Sequence, residues 1–304
     1  MSQRTVLILG SDRDEHAAHV FVELRRRSVA AEYLDTGLFP QRARLSFQNR
    51  TMDWRIDLPS GRTIRSGDVR SVYWRNYEGV LPPVLPDAYQ NFVAANDSRG
   101  LLESFLIELP TRWVNGWEAY RLHQTKPVQL ARVTRLGIET PATVLTNHPD
   151  EVAHFAGQGR SCIFKPVQGG DHARRLSAKH LSPENLESLT FAPITVQEWI
   201  PGTNIRVFVA GERVEACEVR TASTDYRDDP RCELLRHKLP AETAGHCRDV
   251  ARELHLLWTG IDFRLTPEGR YVFLEANPSP MFLGFEAATG LPLTEMLVDL
   301  LLAS

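Results

Sequence analysis

The feature that most constrains the fold is a hairpin near the end of the chain. The sequence GIDFRLTPEGRYVFLEANP consists of two apolar runs around a Pro-Glu-Gly turn, which predicts two antiparallel strands. If the turn is symmetric about the bond between Glu268 and Gly269, Asp262 lies directly opposite Glu275, with Cβ atoms roughly 4.5–5.5 Å apart. Asn277 projects from the same face as Glu275 because side chains alternate along a strand. The hairpin therefore predicts two carboxylates and an amide on one face.

These three side chains suit a divalent cation. Two directly opposed carboxylates repel each other unless a positive charge lies between them. Asp262, Glu275 and Asn277 offer hard oxygen ligands, and Mg²⁺ typically keeps few protein ligands and takes the others from water and phosphate groups. The alternative is a solvent-facing pair of carboxylates with an asparagine that caps the strand end, and the hairpin alone leaves both interpretations open.

Composition places the chain among ordinary globular enzymes. It has 304 residues, 42% hydrophobic and 24% charged, which is enough for two or three lobes with cores of their own. The net charge of −3 does not indicate a nucleic-acid partner. The four cysteines show no CxxC or CxxH spacing, which argues against zinc or a disulfide framework. The short apolar run in MSQRTVLILG predicts a buried strand, not a signal peptide or a membrane span, so we expect a soluble cytoplasmic protein without membrane partners.

The first third of the chain predicts an α/β layer. TVLILG followed by EHAAHVFVELRRR reads as a strand and an amphipathic helix, and AEYLDTG and VRSVYWRN read as further strands of the same sheet. Between them a β-hairpin is expected with its turn at 59–61, and a helix is expected from about Tyr89 to Leu109. The turn after the first strand lacks the second and third glycines of a dinucleotide-binding fingerprint, which argues against that cofactor.

The middle of the chain carries groups that could hold phosphates. Lys165 ends an apolar strand in CIFKPVQGGD, and the following Gly169 and Gly170 form a loop whose backbone N–H groups could approach phosphate oxygens. Lys126 precedes a helix and could reach the same phosphates as a point charge. An isolated lysine before a proline is ordinarily a surface residue, so this assignment depends on what surrounds it.

A hinge with an arginine follows. VQEWIPG reads as a strand that ends at Gln197–Ile200 and is broken by Pro201 and Gly202, and its backbone could hydrogen-bond an adenine edge. Arg206 lies in the next strand, where a guanidinium could stabilise a transferring phosphoryl group. The alternative is an ordinary strand-turn-strand with a surface arginine.

Taken in order, Lys126, IFKPVQGG, VQEWIPG, NIRVFV and GIDF…FLEANPSP resemble the ATP-grasp superfamily from about residue 115 to the end of the chain. The resemblance implies an α/β fold with an N-terminal pre-grasp lobe (1–114) and two lobes that sandwich the nucleotide (115–195 and 196–304). It implies ATP and Mg²⁺ as cofactors. The implied ATP-phosphate residues are Lys126, Lys165, Gly169 and Gly170, the adenine-binding residues are Gln197, Glu198 and Ile200, the metal ligands are Asp262, Glu275 and Asn277, and the phosphoryl-stabilising residue is Arg206. Asn204 replaces the acidic residue expected to bind ribose, which should affect affinity more than chemistry.

Two features point to a subfamily. STDYRDDPR resembles the segment near the acceptor substrate in ribosomal-protein-type glutamate ligases and graspetide maturases, and the ending FLEANPSPMFLGFEAATGLPLTEMLVDLLLA is similar to microviridin-type maturases. The resemblance implies that Arg227, and Arg75 in SVYWRN, lie near the acceptor carboxylate. The alternative for both is a structural role, with Tyr73, Trp74 and Arg75 forming a buried strand that has a salt-bridged end.

The resemblance implies a ligase that phosphorylates an Asp or Glu side chain of a peptide and closes it onto a Ser, Thr or Lys of the same peptide. Two other interpretations stay open: a ligase that adds glutamate or another amino acid to a protein end or small metabolite, and a nucleotide-binding module without turnover. A homodimer is common for enzymes of this size, but one chain identifies no interface.

Overall fold

The computed structural model describes residues 4–168, 173–221 and 231–303, and within these residues the backbone forms four β-sheets with helices packed on them. None of the helices in these ranges is both long and apolar enough to cross a membrane. The largest sheet of the N-terminal part is parallel, and the sheets of the central and C-terminal parts are antiparallel.

The N-terminal part contains a parallel sheet with a small antiparallel sheet inserted into it. Its elements are β1 (Thr5–Leu9), α1 (Glu15–Arg26), β2 (Ala31–Leu34), β3 (Arg44–Gln48), β4 (Asp53–Asp57), β5 (Thr63–Arg65), β6 (Val69–Trp74), α2 (Ala88–Glu108) and β7 (Arg112–Val114). The parallel strands lie in the order β2-β1-β6-β7, and every residue of β1 is buried. Burial on both faces is typical of parallel sheets. The predicted strands and the long helix are confirmed; the predicted hairpin is instead a three-stranded sheet, because β3 pairs with β4 as well.

The central part forms a second, antiparallel sheet. Its elements are α3 (Trp117–Gln124), α4 (Lys126–Arg135), β8 (Thr143–Thr146), α5 (Pro149–Ala156), β9 (Cys162–Pro166), β10 (Arg174–Arg175), α6 (Pro183–Glu187) and β11 (Ile194–Glu198). The strands lie in the order β10-β9-β11-β8. Because β11 pairs with both β8 and β9, the central sheet continues to Glu198, slightly past the boundary at 195 that the sequence suggested.

The C-terminal part forms a five-stranded antiparallel sheet. Its elements are β12 (Thr203–Ala210), β13 (Arg213–Arg220), β14 (Glu233–His237), α7 (Ala241–Glu253), β15 (Trp258–Leu265), β16 (Tyr271–Asn277), α8 (Leu283–Thr289) and α9 (Leu293–Leu302). The strands lie in the order β14-β13-β12-β15-β16. Val207, Ile261 and Phe273 pack with α7 in one hydrophobic core. The face of the sheet opposite α7 is therefore available for contacts with the other parts of the protein.

The last helix ties the C-terminal part to the first sheet. Leu297 of α9 shares one hydrophobic core with Val6 and Ile8 of β1 and with Phe208 and Trp258 of the C-terminal sheet. The Ser71 hydroxyl of β6 donates to the Leu301 carbonyl at 2.8 Å. The end of the chain therefore fixes the C-terminal sheet against the N-terminal sheet.

A glycine is required where the central sheet passes into the C-terminal sheet. Gly202 has a φ of +131°, and a Cβ atom placed on it would lie 2.0 Å from the Leu265 carbonyl oxygen. No other residue fits this close approach of two backbones, so the hinge predicted at Pro201 and Gly202 depends on the glycine.

Candidate active site

The candidate site lies between the central and C-terminal sheets. Cross-strand pairing puts Lys165, Thr195 and Leu145 on one face of the central sheet. Lys165, Thr195 and Leu145 line a pocket together with Glu275 of the C-terminal sheet and Lys126 of α4. The pocket thus combines two cations, a carboxylate and an apolar wall between two sheets, and it brings together three residues that the sequence singled out, Lys126, Lys165 and Glu275.

The hairpin register places Asp262 opposite Glu275, as predicted, but for a different reason. The turn is centred on Glu268, since Leu265 pairs with Tyr271 and Phe263 pairs with Phe273. The register then shifts at the step from Phe263 to Asp262, where β16 contains one extra residue. The predicted symmetric centre between Glu268 and Gly269 is therefore wrong, and a β-bulge restores the Asp262–Glu275 pair.

The bulge also changes which side chains face the pocket. In a regular strand Leu274 would point away from the face that carries Glu275. Because of the extra residue, Leu274 and Glu275 both line the pocket between the sheets. An apolar side chain and a carboxylate thus lie next to each other, which a strictly alternating strand cannot provide.

Each of the two opposed carboxylates is paired with a cation. Arg206 faces Asp262 across the β12–β15 ladder and binds it with two hydrogen bonds, Nε to Oδ1 at 2.5 Å and Nη2 to Oδ2 at 3.0 Å. Lys126 Nζ lies 2.9 Å from Glu275 Oε2. The repulsion between Asp262 and Glu275 is therefore offset by two positive side chains that the sequence assigned to phosphate and phosphoryl groups.

Burial and neighbouring charges shift the pKa values of three groups around the pocket. Burial raises the pKa of Glu275, but the charge and hydrogen bond of Lys126 and the charge of Lys165 outweigh it and hold that pKa below its ordinary value. Burial lowers the pKa of Lys165, while the charge of Glu275 opposes that shift. Burial also lowers the pKa of His123, which lies beside the ribbon formed by β15 and β16. Glu275 is thus an anion at neutral pH.

Asn277 ends the ribbon in a turn. Its Oδ1 accepts the Ser279 N–H at 2.9 Å, and its carbonyl accepts the Thr259 hydroxyl at 2.8 Å. Within the described ranges no three His, Cys, Asp or Glu side chains cluster as a metal site. The donor set offered here is instead two carboxylates and one amide, and few hard oxygen donors of this kind fit Mg²⁺, which takes its remaining ligands from water and phosphate.

The hinge residues are held by hydrogen bonds. Gln197 is buried, accepts from Lys165 Nζ at 3.2 Å and donates to the Thr143 hydroxyl at 2.9 Å. The Glu198 N–H donates to the Ala142 carbonyl, so this group of the predicted adenine-binding backbone is already used. The N–H of Ile200 has no hydrogen-bond partner in the part of the chain that the structure describes. Ile200 N–H is therefore the hinge donor left for a ligand.

Arg264 is a residue that the sequence analysis missed. Its Nη1 donates to Asn204 Oδ1 at 2.6 Å, and its Nε donates to the Ile200 carbonyl at 3.1 Å. The amide oxygen of Asn204, the predicted ribose-binding position, is thus turned toward Arg264, and its NH₂ group remains as a donor. No local signal marks Arg264, because the contacts join strands that are distant along the chain.

Two further missed residues position the ribbon. Gln129 of α4 bonds both backbone groups of Ala276 at 2.9 Å, between Glu275 and Asn277. Asn115 is buried and makes four hydrogen bonds, two from its NH₂ group to the Trp258 and Pro278 carbonyls and two to its Oδ1 from the N–H groups of 257 and 258. Each of these amides satisfies backbone groups that would otherwise be buried without partners.

Of the remaining predicted residues, Gly169, Gly170 and Arg227 lie outside the described residues. Arg75 lies in the N-terminal part and binds Asp14 through Nε at 2.9 Å. Its Nη1 donates to the Ser279 carbonyl at 2.8 Å and hydroxyl at 2.9 Å, and the Ser279 hydroxyl donates to the Arg75 carbonyl at 2.7 Å. Arg75 is thus a salt-bridged strand end, which was the alternative interpretation, and it anchors the turn after Asn277.

Gly260→Ala provides a test of how tightly Arg206 is held. A Cβ atom at this position would lie 2.7 Å from Pro280 Cβ and 3.1 Å from Arg206 Nη1. We expect catalytic activity to fall by about tenfold to a hundredfold, because a displacement of about 1 Å at a reacting site can cost that much, and Tm to fall as well. The control is Gly245→Ala in α7, where no atom lies within 4 Å. Equal activity of the two variants would contradict the assigned role of Arg206.

Comparison with known proteins adds to this geometry. No family model matches the chain. A probable alpha-L-glutamate ligase of Legionella pneumophila is 29% identical over 183 residues, 56% of this chain and 60% of that protein's length. The ATP-grasp ligase PsnB, solved with a minimal precursor, superposes with a TM-score of 0.84 at 28% identity and covers 99% of both chains. The macrocyclase MdnC of Microcystis aeruginosa, bound to its precursor peptide MdnA, superposes with a TM-score of 0.84 at 22% identity over 99% of this chain.

The chain has the ATP-grasp fold. The whole-length superposition on PsnB includes the N-terminal sheet as well as the two sheets around the pocket, so the ATP-grasp resemblance predicted from residue 115 onward extends to the first lobe. A second PsnB structure contains Mg and ADP together with a phosphomimetic precursor variant, at 28% identity and a TM-score of 0.84. The region that this chain shares with the glutamate ligase spans only 60% of that protein's length.

Proposed function

We propose that this ATP-grasp chain is an ATP- and Mg²⁺-dependent ligase that phosphorylates an Asp or Glu side chain of a peptide and joins it to a nucleophile of the same peptide. The observation that carries the proposal is the ribbon of β15 and β16. Asp262 and Glu275 are directly opposed on it, each paired with a cation, Arg206 and Lys126, beside a pocket that also holds Lys165.

ATP is proposed to bind in the pocket between the sheets. This pocket has a volume of only about 10 Å³, so the two sheets would have to move apart to admit ATP, and Leu130, Leu145 and Leu274 would then supply apolar surface for the purine. Lys126 and Lys165 supply the positive charge for the phosphates. The hinge donor at Ile200 would bind the adenine edge and the Asn204 amide the ribose. The remaining nucleotide-binding residues of the proposal are Gly169, Gly170, Gln197 and Glu198.

The metal is proposed to lie on the ribbon. Asp262, Glu275 and Asn277 would hold Mg²⁺, and the cations now paired with the carboxylates would turn to phosphate oxygens. Held there by these three residues, Mg²⁺ would supply positive charge to offset the negative charge that develops on the transferred group. Arg206, Lys165 and Arg227 are proposed to stabilise that group and the activated carboxylate through charge-assisted hydrogen bonds.

The peptide substrate is favoured over a free amino acid by the extent of the similarity. The PsnB structures hold precursor peptides and align with this chain over their whole length, whereas the matched glutamate ligases share 60% of theirs. The proposed lobes are 1–114, 115–195 and 196–304, with β11 of the central sheet crossing from the second lobe into the third. A non-catalytic ATP-binding module is disfavoured because Asp262, Glu275, Asn277, Arg206 and both pocket lysines are all present.

The experiment is to incubate the protein with ATP, Mg²⁺ and precursor-like peptides that carry Glu and Thr or Lys residues, and to follow ADP and peptide mass. We expect ADP to form only with a substrate peptide and the peptide to lose one water per linkage. A gain of one amino-acid residue would instead identify the glutamate-ligase function. ATP binding without ADP release for every peptide and amino acid would contradict both.

A further inference from the structure

A second cavity borders the ribbon of β15 and β16 and shares no lining residue with the nucleotide pocket. Asn277 and His123 line it, whereas Glu275 and Lys126 line the nucleotide pocket. The ribbon of β16 and the junction of α3 and α4 thus form a shared wall between the two. A group held in this cavity lies beside the proposed metal ligand Asn277 without competing for the nucleotide's space.

The cavity lies where α/β proteins bind ligands. The parallel strands run in the order β2-β1-β6-β7, so the chain direction across the sheet reverses between β1 and β6. Ligands of open α/β sheets bind at the carboxyl ends of the strands beside such a switch point. Trp74 and Arg75 at the carboxyl end of β6 both line the cavity, so fold topology and the metal ribbon point to the same place.

Three aromatic rings, those of Trp74, Tyr77 and Tyr120, form one part of the cavity's wall. Trp74 stacks on Tyr120 with ring centroids 4.9 Å apart, and Tyr77 meets Tyr120 edge to face at 5.5 Å. The hydroxyl groups of Tyr77 and Tyr120 have no hydrogen-bond partner within the described residues. The wall therefore combines an apolar surface with two phenolic groups that can still donate or accept.

The volume and charge of the cavity limit what it can hold. At about 190 Å³ it is smaller than the roughly 300–1,000 Å³ of small-molecule sites, so it suits one side chain. No carboxylate belongs to its described lining, and the lining guanidinium of Arg75 is already paired with Asp14. An ammonium ion would therefore lack a counter-ion beside Arg75 and Lys126, and a carboxylate would lack an unpaired cation. An uncharged polar side chain is the best match.

We infer that this cavity, lined by Trp74, Tyr77 and Tyr120, receives the hydroxyl-bearing Ser or Thr side chain that attacks the activated carboxylate. This inference rests on the proposed function. The hydroxyl oxygen forms a bond to the acyl carbon, the bond from that carbon to the phosphate oxygen breaks, and the hydroxyl proton leaves with the departing phosphate. The product is an ester, and the peptide has lost one water overall.

The test separates activation from closure. The probe is a peptide with one Glu and one Thr that wild-type protein converts, and the variants are the double Tyr77→Phe/Tyr120→Phe, which keeps both rings, and Asn76→Phe, which fills the cavity. In both variants we expect the rate of peptide-dependent ADP formation to stay within about threefold of the wild-type rate. The amount of peptide that loses water per ADP formed should fall at least about tenfold. The uncoupled acylphosphate should be trapped by hydroxylamine as a hydroxamate.

The control is Trp117→Phe, which lies in the same aromatic cluster without lining the cavity, and which should keep the wild-type ratio of closure to ADP. Unchanged closure per ADP in both cavity variants, or an equal loss of ADP and closure, would overturn the assignment. Replacing the peptide's Thr with Lys should abolish closure, and equal closure of the Lys peptide would overturn the hydroxyl specificity. Absence of peptide-dependent ADP formation in the wild type would instead overturn the proposed function.

Discussion

Glu275→Gln is expected to lower the rate of peptide-dependent ADP formation by at least about a hundredfold. Glutamine keeps the size of the side chain but removes the charge that would bind Mg²⁺, and a metal contact contributes several kcal/mol to the transition state, with each 1.36 kcal/mol worth a factor of ten. The measurement is steady-state ADP release at saturating ATP and Mg²⁺ with a substrate peptide.

Stability should change little in this variant. The side chain of Glu275 is 32% exposed and that of Lys126 is 24% exposed, so solvent screens their ion pair. The glutamine side chain can still accept a hydrogen bond from Lys126. We expect Tm to fall by at most a few degrees. The matched control is Glu268→Gln, in the exposed turn of the same hairpin, which should keep the wild-type rate. If Glu275→Gln is folded and as active as that control, the metal assignment is wrong.

Arg206→Lys is expected to reduce kcat by about a hundredfold with a much smaller change in KM for ATP. The guanidinium holds Asp262 with two parallel hydrogen bonds, and the point charge of a lysine cannot reproduce this paired contact. Removing one aligned donor from a developing anion typically costs 10²–10³ in kcat.

The ratio of the two kinetic constants identifies the role of Arg206. A residue that stabilises the transferring group lowers kcat, whereas one that only binds ATP raises KM. The control is Arg213→Lys at the start of β13, the strand that pairs with β12 on the side away from β15. There the arginine makes exposed ion pairs with Glu295 and Asp299. A purely KM effect, or a loss equal to that of Arg213→Lys, would contradict the proposed role.

Much of the site follows from local sequence patterns. The alternation of apolar and polar residues in β15 and β16 predicts the hairpin, and the pairing of Asp262 with Glu275 is confirmed. The prediction succeeded through two compensating features, a turn centred on Glu268 and a bulge beside Leu274. Alternation rules do not report bulges, so the presence of Leu274 in the nucleotide pocket was not predictable from the pattern.

The remainder of the site depends on contacts between distant parts of the chain. Lys126 was predicted to face phosphates, but its pairing with Glu275 joins a helix start to a strand 149 positions away. Gln129, Asn115 and Arg264 are polar residues without a spacing motif, and their roles appear only when their backbone partners are in place. Arg75 shows the same effect, because its pairing with Asp14 and Ser279 is set by the packing of the first lobe on the last turn of the ribbon.

The most direct measurement is a crystal structure with Mn²⁺ in place of Mg²⁺ and a non-hydrolysable ATP analogue, with the metal located by its anomalous scattering. The ligase mechanism predicts a peak bound by the carboxylates of Asp262 and Glu275 and the amide of Asn277, in contact with the analogue's phosphates. A metal bound elsewhere, or an analogue whose phosphates lie away from this ribbon, would contradict it.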